Sequence, residues 1–260
     1  MSTPLPAHSF HHVAIATRNI AALIGFYTKR FGFAEVRQRS WRDEPLIDRV
    51  VGLDRTIGHS AMLRGGNFYL ELFQYDQPLG SAPGAVALPP YAGIVLRCAG
   101  EIGEIADPDG NRIVVEAERA GDTPGVAALG RVMLRSRDAQ GLADFHRAAF
   151  GLSTLREGDG KFLLQAGNAE LQISQESATA SPLRACDAGM THVCYDVTGI
   201  DARHAALLSL GMRFNGPPGD FGPIGAVYGQ DVAGNIIEIQ EIRDPAHMFS
   251  MRHLQAASQA

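Results

Sequence analysis

Cysteine is scarce in this chain: Cys98, Cys186 and Cys194 show no CxxC spacing and no pairing framework, so reduced thiols of a cytosolic protein are expected. Blocks of Lys or Arg are absent and the net charge is −5, which argues against nucleic acid or an anionic membrane as partner. No apolar stretch approaches the ~20 residues that span a bilayer. The opening MSTPLPAHSF lacks the basic region and apolar run of a secretory leader. A soluble, cytoplasmic protein is the expectation. What remains is ordinary: 45% hydrophobic and 20% charged residues in 260, enough for one large domain or two of usual depth.

The chain does contain a repeat. Four segments alternate as half-buried strands do: HVAIAT (His12 to Thr17), GIVLRC (Gly93 to Cys98), RVMLRS (Arg131 to Ser136) and HVCYDV (His192 to Val197). Three lead into helical patterns, opened near Asn19, Asp138 and Asp201 and stopped at Gly32, Gly151 and Gly211. Each unit then closes on a strand: NFYLELFQY, RIVVEAE, NAELQISQ and NIIEIQEI, two of them introduced by the tight turns DPDGN and DVAGN. Every unit reads β-α-β-β-β, except that the second has no room for a helix between Cys98 and Asp107. Residues 1–118 and 127–243 each hold a pair of units, with 244–260 as a tail. Linkers rich in Pro and Gly lie at 76–90 and 119–126, and a polar one at 174–189.

The HVAIATRNIAALIGFYTKRFGF opening, the YLELFQY strand and the two turns resemble the vicinal oxygen chelate superfamily, over nearly the whole chain. That group takes in glyoxalase I, methylmalonyl-CoA epimerase, extradiol dioxygenases, fosfomycin-resistance enzymes and bleomycin-binding proteins. The resemblance implies an α+β fold of tandem βαβββ modules, forming curved mixed sheets with helices on the outer faces and unit two truncated. It also implies that unit one pairs with unit four and unit two with unit three. Metal ligands would then lie on the first and last strands of a unit.

At the first-strand position the four repeats carry His12, Gly93, Arg131 and His192; at the last-strand position they carry Glu71, Val114, Gln172 and Glu238. Under the implied pairing, units one and four would bring two imidazoles and two carboxylates together, and the other pair would have no ligand set. Those donors suit one divalent ion: Zn, Ni, Co, Mn or Fe. Strand parity puts Ala14 and Ala16 with His12; Tyr69, Phe73 and Tyr75 with Glu71; Cys194 and Asp196 with His192; and Ile236 and Gln240 with Glu238. By the same alternation His11 should point away from the site. Arg131 reads as a structural charge beside a carboxylate, and His59, His146, His204, His247 and His253 as solvated. The stretch Ser40 to Leu53, with Trp41 and Arg49, reads as a flap over a substrate or an ordinary loop. Tyr69, Tyr75 and Phe221 read as pocket walls or core, and Cys194 as a soft contact or a small pocket-lining residue.

The resemblance leaves three functions open. The first is a glyoxalase-type isomerase or lyase that polarises the adjacent oxygens of a small substrate while Glu71 or Glu238 moves a proton. An Fe(II) extradiol-type dioxygenase is the second, disfavoured because Arg131 stands where unit three would need a His. A metal-free binding protein of the resistance type is the third. The expected partner is a small molecule with adjacent oxygens, and a homodimer fits the reading.

Overall fold

The computed structural model describes residues 8–178 and 181–257. The first seven residues, two of the polar linker and the last three of the tail lie outside the described residues, and with them most of the segment inspected for a leader. Unit one comprises β1 (Phe10–Ala16), α1 (Ile20–Phe31), β2 (Ala34–Arg42), α2 (Pro45–Val51), β3 (Ile57–Arg64) and β4 (Tyr69–Gln77). Unit two is β5 (Tyr91–Arg97), β6 (Gly103–Ala106) and β7 (Arg112–Glu116), without a helix. Unit three runs through β8 (Ala128–Ser136), α3 (Ala139–Phe150), β9 (Ser153–Gly158), β10 (Lys161–Gln165) and β11 (Glu170–Gln175). Unit four has β12 (Gly189–Asp196), α4 (Ile200–Ser209), β13 (Arg213–Phe214), β14 (Gly219–Asp220), β15 (Ile224–Gln230) and β16 (Ile236–Ile242), followed by α5 (Arg252–Ala257). No helix among the described residues is long and apolar enough to cross a membrane.

Local chemistry sets the helix ends. The Asn19 side chain accepts from the Ala22 N–H at 3.1 Å, and Asp138 accepts from Gly141 at 2.8 Å, each satisfying an orphan amide of the first turn. Gly32 ends α1 at φ +68°, and a Cβ there would also collide with the Gly125 carbonyl. The fourth unit departs from the expected cap. Asp201 sits inside the first turn, Gly199 is the cap residue, and the Glu241 carboxylate on β16 accepts its N–H.

The strands form two sheets, each drawn from both halves of the chain. Nine strands run β13-β15-β16-β12-β1-β4-β3-β2, with β14 beside β15, and seven run β6-β7-β5-β8-β11-β10-β9. Units one and four thus build one sheet, and units two and three the other. Their registers correspond: Ala14 opposes His192 as Val95 opposes Arg131, and Ala14 pairs Glu71 as Val95 pairs Val114. Cys194 pairs Glu238 as Met133 pairs Gln172.

One apolar core joins the helix-bearing faces of both sheets, among them Val13, Ile15, Leu70, Leu72, Ile94, Leu96, Val132 and Leu134. Two asparagines cross-link the sheets. Asn168 donates to the carbonyls of Phe10 and Asn67 and accepts from the Phe10 N–H, while Asn67 donates to Leu129 and Asn168 and accepts from the Leu129 N–H. Asn168→Ala is expected to cost about 2–4 kcal/mol in urea unfolding, because it removes both side-chain bonds to the Phe10 backbone and the one to the Asn67 carbonyl. A cost below ~0.5 kcal/mol would refute this.

A second pair of links corrects an expectation. Tyr27 and His146 occupy the same place in α1 and α3, and each faces the leading Asp of a turn. Tyr27 donates to Asp107 of DPDGN at 3.0 Å. His146 is fully buried rather than solvated, with Nδ1 3.2 Å from the Tyr195 hydroxyl and Nε2 3.8 Å from the Asp231 carboxylate of DVAGN. Burial pulls its pKa down to about 3, so the ring is neutral. Helical periodicity placed it on the apolar stripe of α3, a signal that its polarity obscured.

Candidate metal centre

Four strands bring four donors together on the face of the nine-stranded sheet opposite α1 and α4. His12 comes from β1, Glu71 from β4, His192 from β12 and Glu238 from β16. Their ligating atoms all lie within 4.8 Å of one another. His12 Nε2 is 3.0 Å from Glu238 Oε2 and 3.2 Å from Glu71 Oε2, and His192 Nε2 is 3.3 Å from Glu238 Oε2.

Distance alone would make these ion pairs, but their alignment does not. Among the described residues, His12 Nε2, His192 Nε2 and Glu238 Oε2 are buried without a hydrogen-bond partner. Buried polar atoms are rarely left so, and three of them turned toward one point fit a cation better than they fit each other. Imidazole nitrogen and carboxylate oxygen are the donors that Zn²⁺ and its first-row neighbours accept.

The charges of the cluster set one another's protonation. Burial pushes Glu71 up to about 7, against the pull of His12 and with the charge of Glu238 adding to the rise. Burial raises Glu238 as well, but the two imidazoles beside it outweigh that and bring it down to about 2. For His12 burial is likewise outweighed, here by Glu238 and Glu71, and its pKa stands above the ordinary value; burial leaves His192 below it.

Parity predicted most of this face. Val13, Ile15, Leu70, Leu72, Val193 and Ile239 pack on the helix side. Ala14, Ala16, Trp41, Phe73 and Tyr75 form a separate cluster on the site side. His11 is the exception. A bulge in β1 lets Phe10 oppose Tyr195 and His12 oppose Cys194, so His11 is the extra residue and alternation fails there. Its ring turns to the site side, stacks on Tyr69 and puts Nδ1 2.9 Å from His12 Nδ1. Burial, and then the neighbouring His12, lower its pKa to about 3.

A cavity of about 480 Å³ opens above Glu71 and Glu238. Strands from both ends of the sheet reach it, β2 and β3 on one side and β15 and β16 on the other, so the sheet curls around it. Trp41 lines it, as expected, with Phe73, Met62, Tyr228 and Phe221. The other expected contacts lie elsewhere. Tyr69 is fully buried and donates to the Met248 and Ser250 carbonyls at 3.1 and 3.3 Å. Tyr75 packs behind Trp41 and Phe73, and Cys194 is fully buried with Sγ 3.7 Å from the Tyr195 carbonyl. Arg49 runs beside Gly216 outside the cavity wall. Tyr69, Tyr75 and Cys194 have the right parity but are buried beneath other side chains, whereas Arg49 is exposed.

The expected flap is the end of β2 and the helix α2. Val50 and Val51 of α2 are buried against unit four, and Asn215 donates to the Val50 carbonyl at 3.1 Å. Ile47, Val50 and Val51 roof the cavity. Gln240 lines the wall on the face that parity gave it, while sequence reasoning missed Arg37, His247 and Phe249 there. Arg37 shares the period-two face of Trp41 and could have been found that way. His247 and Phe249 belong to the tail, which follows no repeat. In the other sheet Arg131 pairs with Glu170 at 2.8 Å and Glu116 at 3.9 Å, as the sequence suggested.

A sequence model of the Glyoxalase/Bleomycin resistance protein/Dioxygenase superfamily matches residues 9–100 and 128–239. No curated protein sequence matches the chain. In fold it is similar to glyoxalase I from Zea mays, with a TM-score of 0.66 and 16% identity over 96% of either chain. It is similar also to a provisionally named dioxygenase from Bacillus subtilis, with a TM-score of 0.67 and 14% identity over 96% of this chain and 90% of that one. At such identities the likeness is one of fold.

Proposed function

We propose that this chain, which belongs to the Glyoxalase/Bleomycin resistance protein/Dioxygenase superfamily, is a divalent-cation-dependent isomerase or lyase that moves a proton on a small substrate with adjacent oxygens. The convergence of His12, Glu71, His192 and Glu238, with buried donor atoms left unpaired, carries the reading. These four would hold the ion, which when bound supplies Lewis acidity toward the substrate oxygens. All four come from one chain, so the proposal requires no second copy.

The carboxylates differ in what they touch. Glu238 Oε2 lies beside two imidazoles and its side chain is 7% exposed; Glu71 lies beside one and is 17% exposed toward the cavity. Glu71 is therefore the freer group and the proton carrier, while Glu238 is the anchoring ligand. Burial favours the protonated form of Glu71, which suits a group that must accept a proton and return it. The aromatic and aliphatic walls keep bulk water from competing for that proton.

The wall also suggests a substrate class. On the cavity face the strand registers set Arg37, Met62 and Glu71 in one row across β2, β3 and β4. Two strand spacings put Arg37 roughly 10 Å from Glu71 at the backbone. Arg39, one step along, is engaged by Glu44, whereas Arg37 has no ion pair among the described residues. A substrate reacting beside Glu71 with an anionic group at its far end would meet the Arg37 guanidinium. Arg37→Ala should raise KM for such substrates about tenfold with kcat little changed, the size of one charged hydrogen bond. An unchanged KM would remove the anion from the proposal.

A ring-cleaving oxygenase typically uses two His and one carboxylate with three open positions. The second carboxylate here favours proton transfer. Reconstitution decides between them: turnover with Ni²⁺, Co²⁺ or Zn²⁺ under anaerobic conditions supports the proposal, and turnover only with Fe²⁺ and O₂ uptake overturns it.

A further inference from the structure

His11 has no donor role in the four-residue cluster, yet it is fully buried and polar on both ring nitrogens. Its Nε2 lies 2.8 Å from the Phe249 carbonyl and its Nδ1 lies 2.9 Å from His12 Nδ1. A carbonyl oxygen can only accept, so the His11 proton is on Nε2. A second proton would place a charge in a pocket closed by the Tyr69 ring, where among the described residues no carboxylate pairs with it and Glu238 acts only at a distance, which is costly. His11 Nδ1 therefore presents a lone pair. The 2.9 Å contact needs one proton, and His12 Nδ1 must supply it. That leaves His12 Nε2 as the atom facing Glu71 and Glu238.

We infer that His11 is a positioning residue: anchored by the Phe249 carbonyl of the C-terminal segment, it fixes the proton of His12 on Nδ1 and so commits Nε2 to the donor cluster. The inference rests on the proposed cation site for its purpose, but not for its geometry. His192 has a comparable arrangement: the Thr191 hydroxyl, donating to the Ala14 carbonyl at 3.5 Å, lies 3.0 Å from His192 Nδ1. For His12, however, the acceptor is itself tied to the tail. His247 and Phe249 of that segment also line the cavity, so one stretch of chain walls the substrate space and orients a ligand. The bulge in β1 is what makes this chain of contacts reachable, since regular alternation would have turned His11 to the opposite face.

Two variants and one spectrum test it. His11→Phe keeps an aromatic ring against Tyr69 but removes the acceptor, and His11→Asn restores an acceptor where Nδ1 stands. Side-chain ¹⁵N–¹H NMR of the wild type should show a slowly exchanging proton on His12 Nδ1, with and without Zn²⁺. Zn²⁺ affinity by competition titration should fall about 10–100-fold in His11→Phe, the usual cost of losing a ligand's outer partner, and recover toward the wild-type value in His11→Asn. Urea unfolding of both variants shows whether each is folded. An unprotonated His12 Nδ1 in the wild type overturns the inference, as does a folded His11→Phe with unchanged affinity. If the wild type binds no divalent cation, the cation proposal fails on its own, and the Nδ1 proton still decides the role of His11.

Discussion

Wild-type protein, dialysed and analysed by elemental mass spectrometry, should carry one divalent ion per chain, and His192→Ala should carry none. The substitution removes one of four donors and leaves Glu238 Oε2, now beside a single imidazole, buried with less to balance it. Loss of an outer partner alone weakens metal sites about 10–100-fold, and loss of a ligand must exceed that. The matched control is Gln172→Ala in the other sheet, the register counterpart of Glu238, which should leave ion content unchanged. There the central charge, Arg131, is already satisfied by Glu170. Full ion content in a folded His192→Ala would overturn the cation centre.

The second large effect separates the two glutamates. Glu71→Gln should lower kcat about 10²–10⁴-fold, the usual contribution of a positioned proton carrier, while the protein still takes up the ion, more weakly, through His12, His192, Glu238 and the amide oxygen that replaces the carboxylate. Glu238→Gln should lose the ion itself, because that carboxylate bridges both imidazoles. The amide keeps the size of each side chain, so packing against Phe73 and Tyr228 is preserved and the contrast reads chemistry rather than folding. Equal loss of ion in both variants would mean that Glu71 is a ligand only. Retention of activity in Glu71→Gln would move the proton transfer to another group.

Much of this site could be read without coordinates because a repeat turns a nonlocal problem into a local one. Aligning four copies of a strand singled out His12, His192, Glu71 and Glu238, and the period of two told which neighbours share their face. The sheet registers bear out that alignment residue by residue: Ala14 stands to Glu71 as Val95 does to Val114. The failures occur where the repeat gives no instruction. His146 looked solvated since its partner, Asp231, is 85 residues away on another unit. Tyr69 looked like a pocket wall until the tail, which repeats nothing, covered it. Arg37 was overlooked because an arginine on an edge strand ordinarily means solubility, and only the curl of the sheet turns it toward the cavity.

Patterning along the chain was enough to specify the modules, the helix caps of units one and three, the tight turns, and which residue types could meet at a metal, because those depend on dihedral preference and the alternation of strand faces. Convergence of the four donors within 4.8 Å, the roof made by α2, and the contact from Phe249 through His11 to His12 had to wait for packing. The β1 bulge shows why: a single extra residue reverses the facing of His11, and whether a strand bulges is settled by the partner strand it must fit.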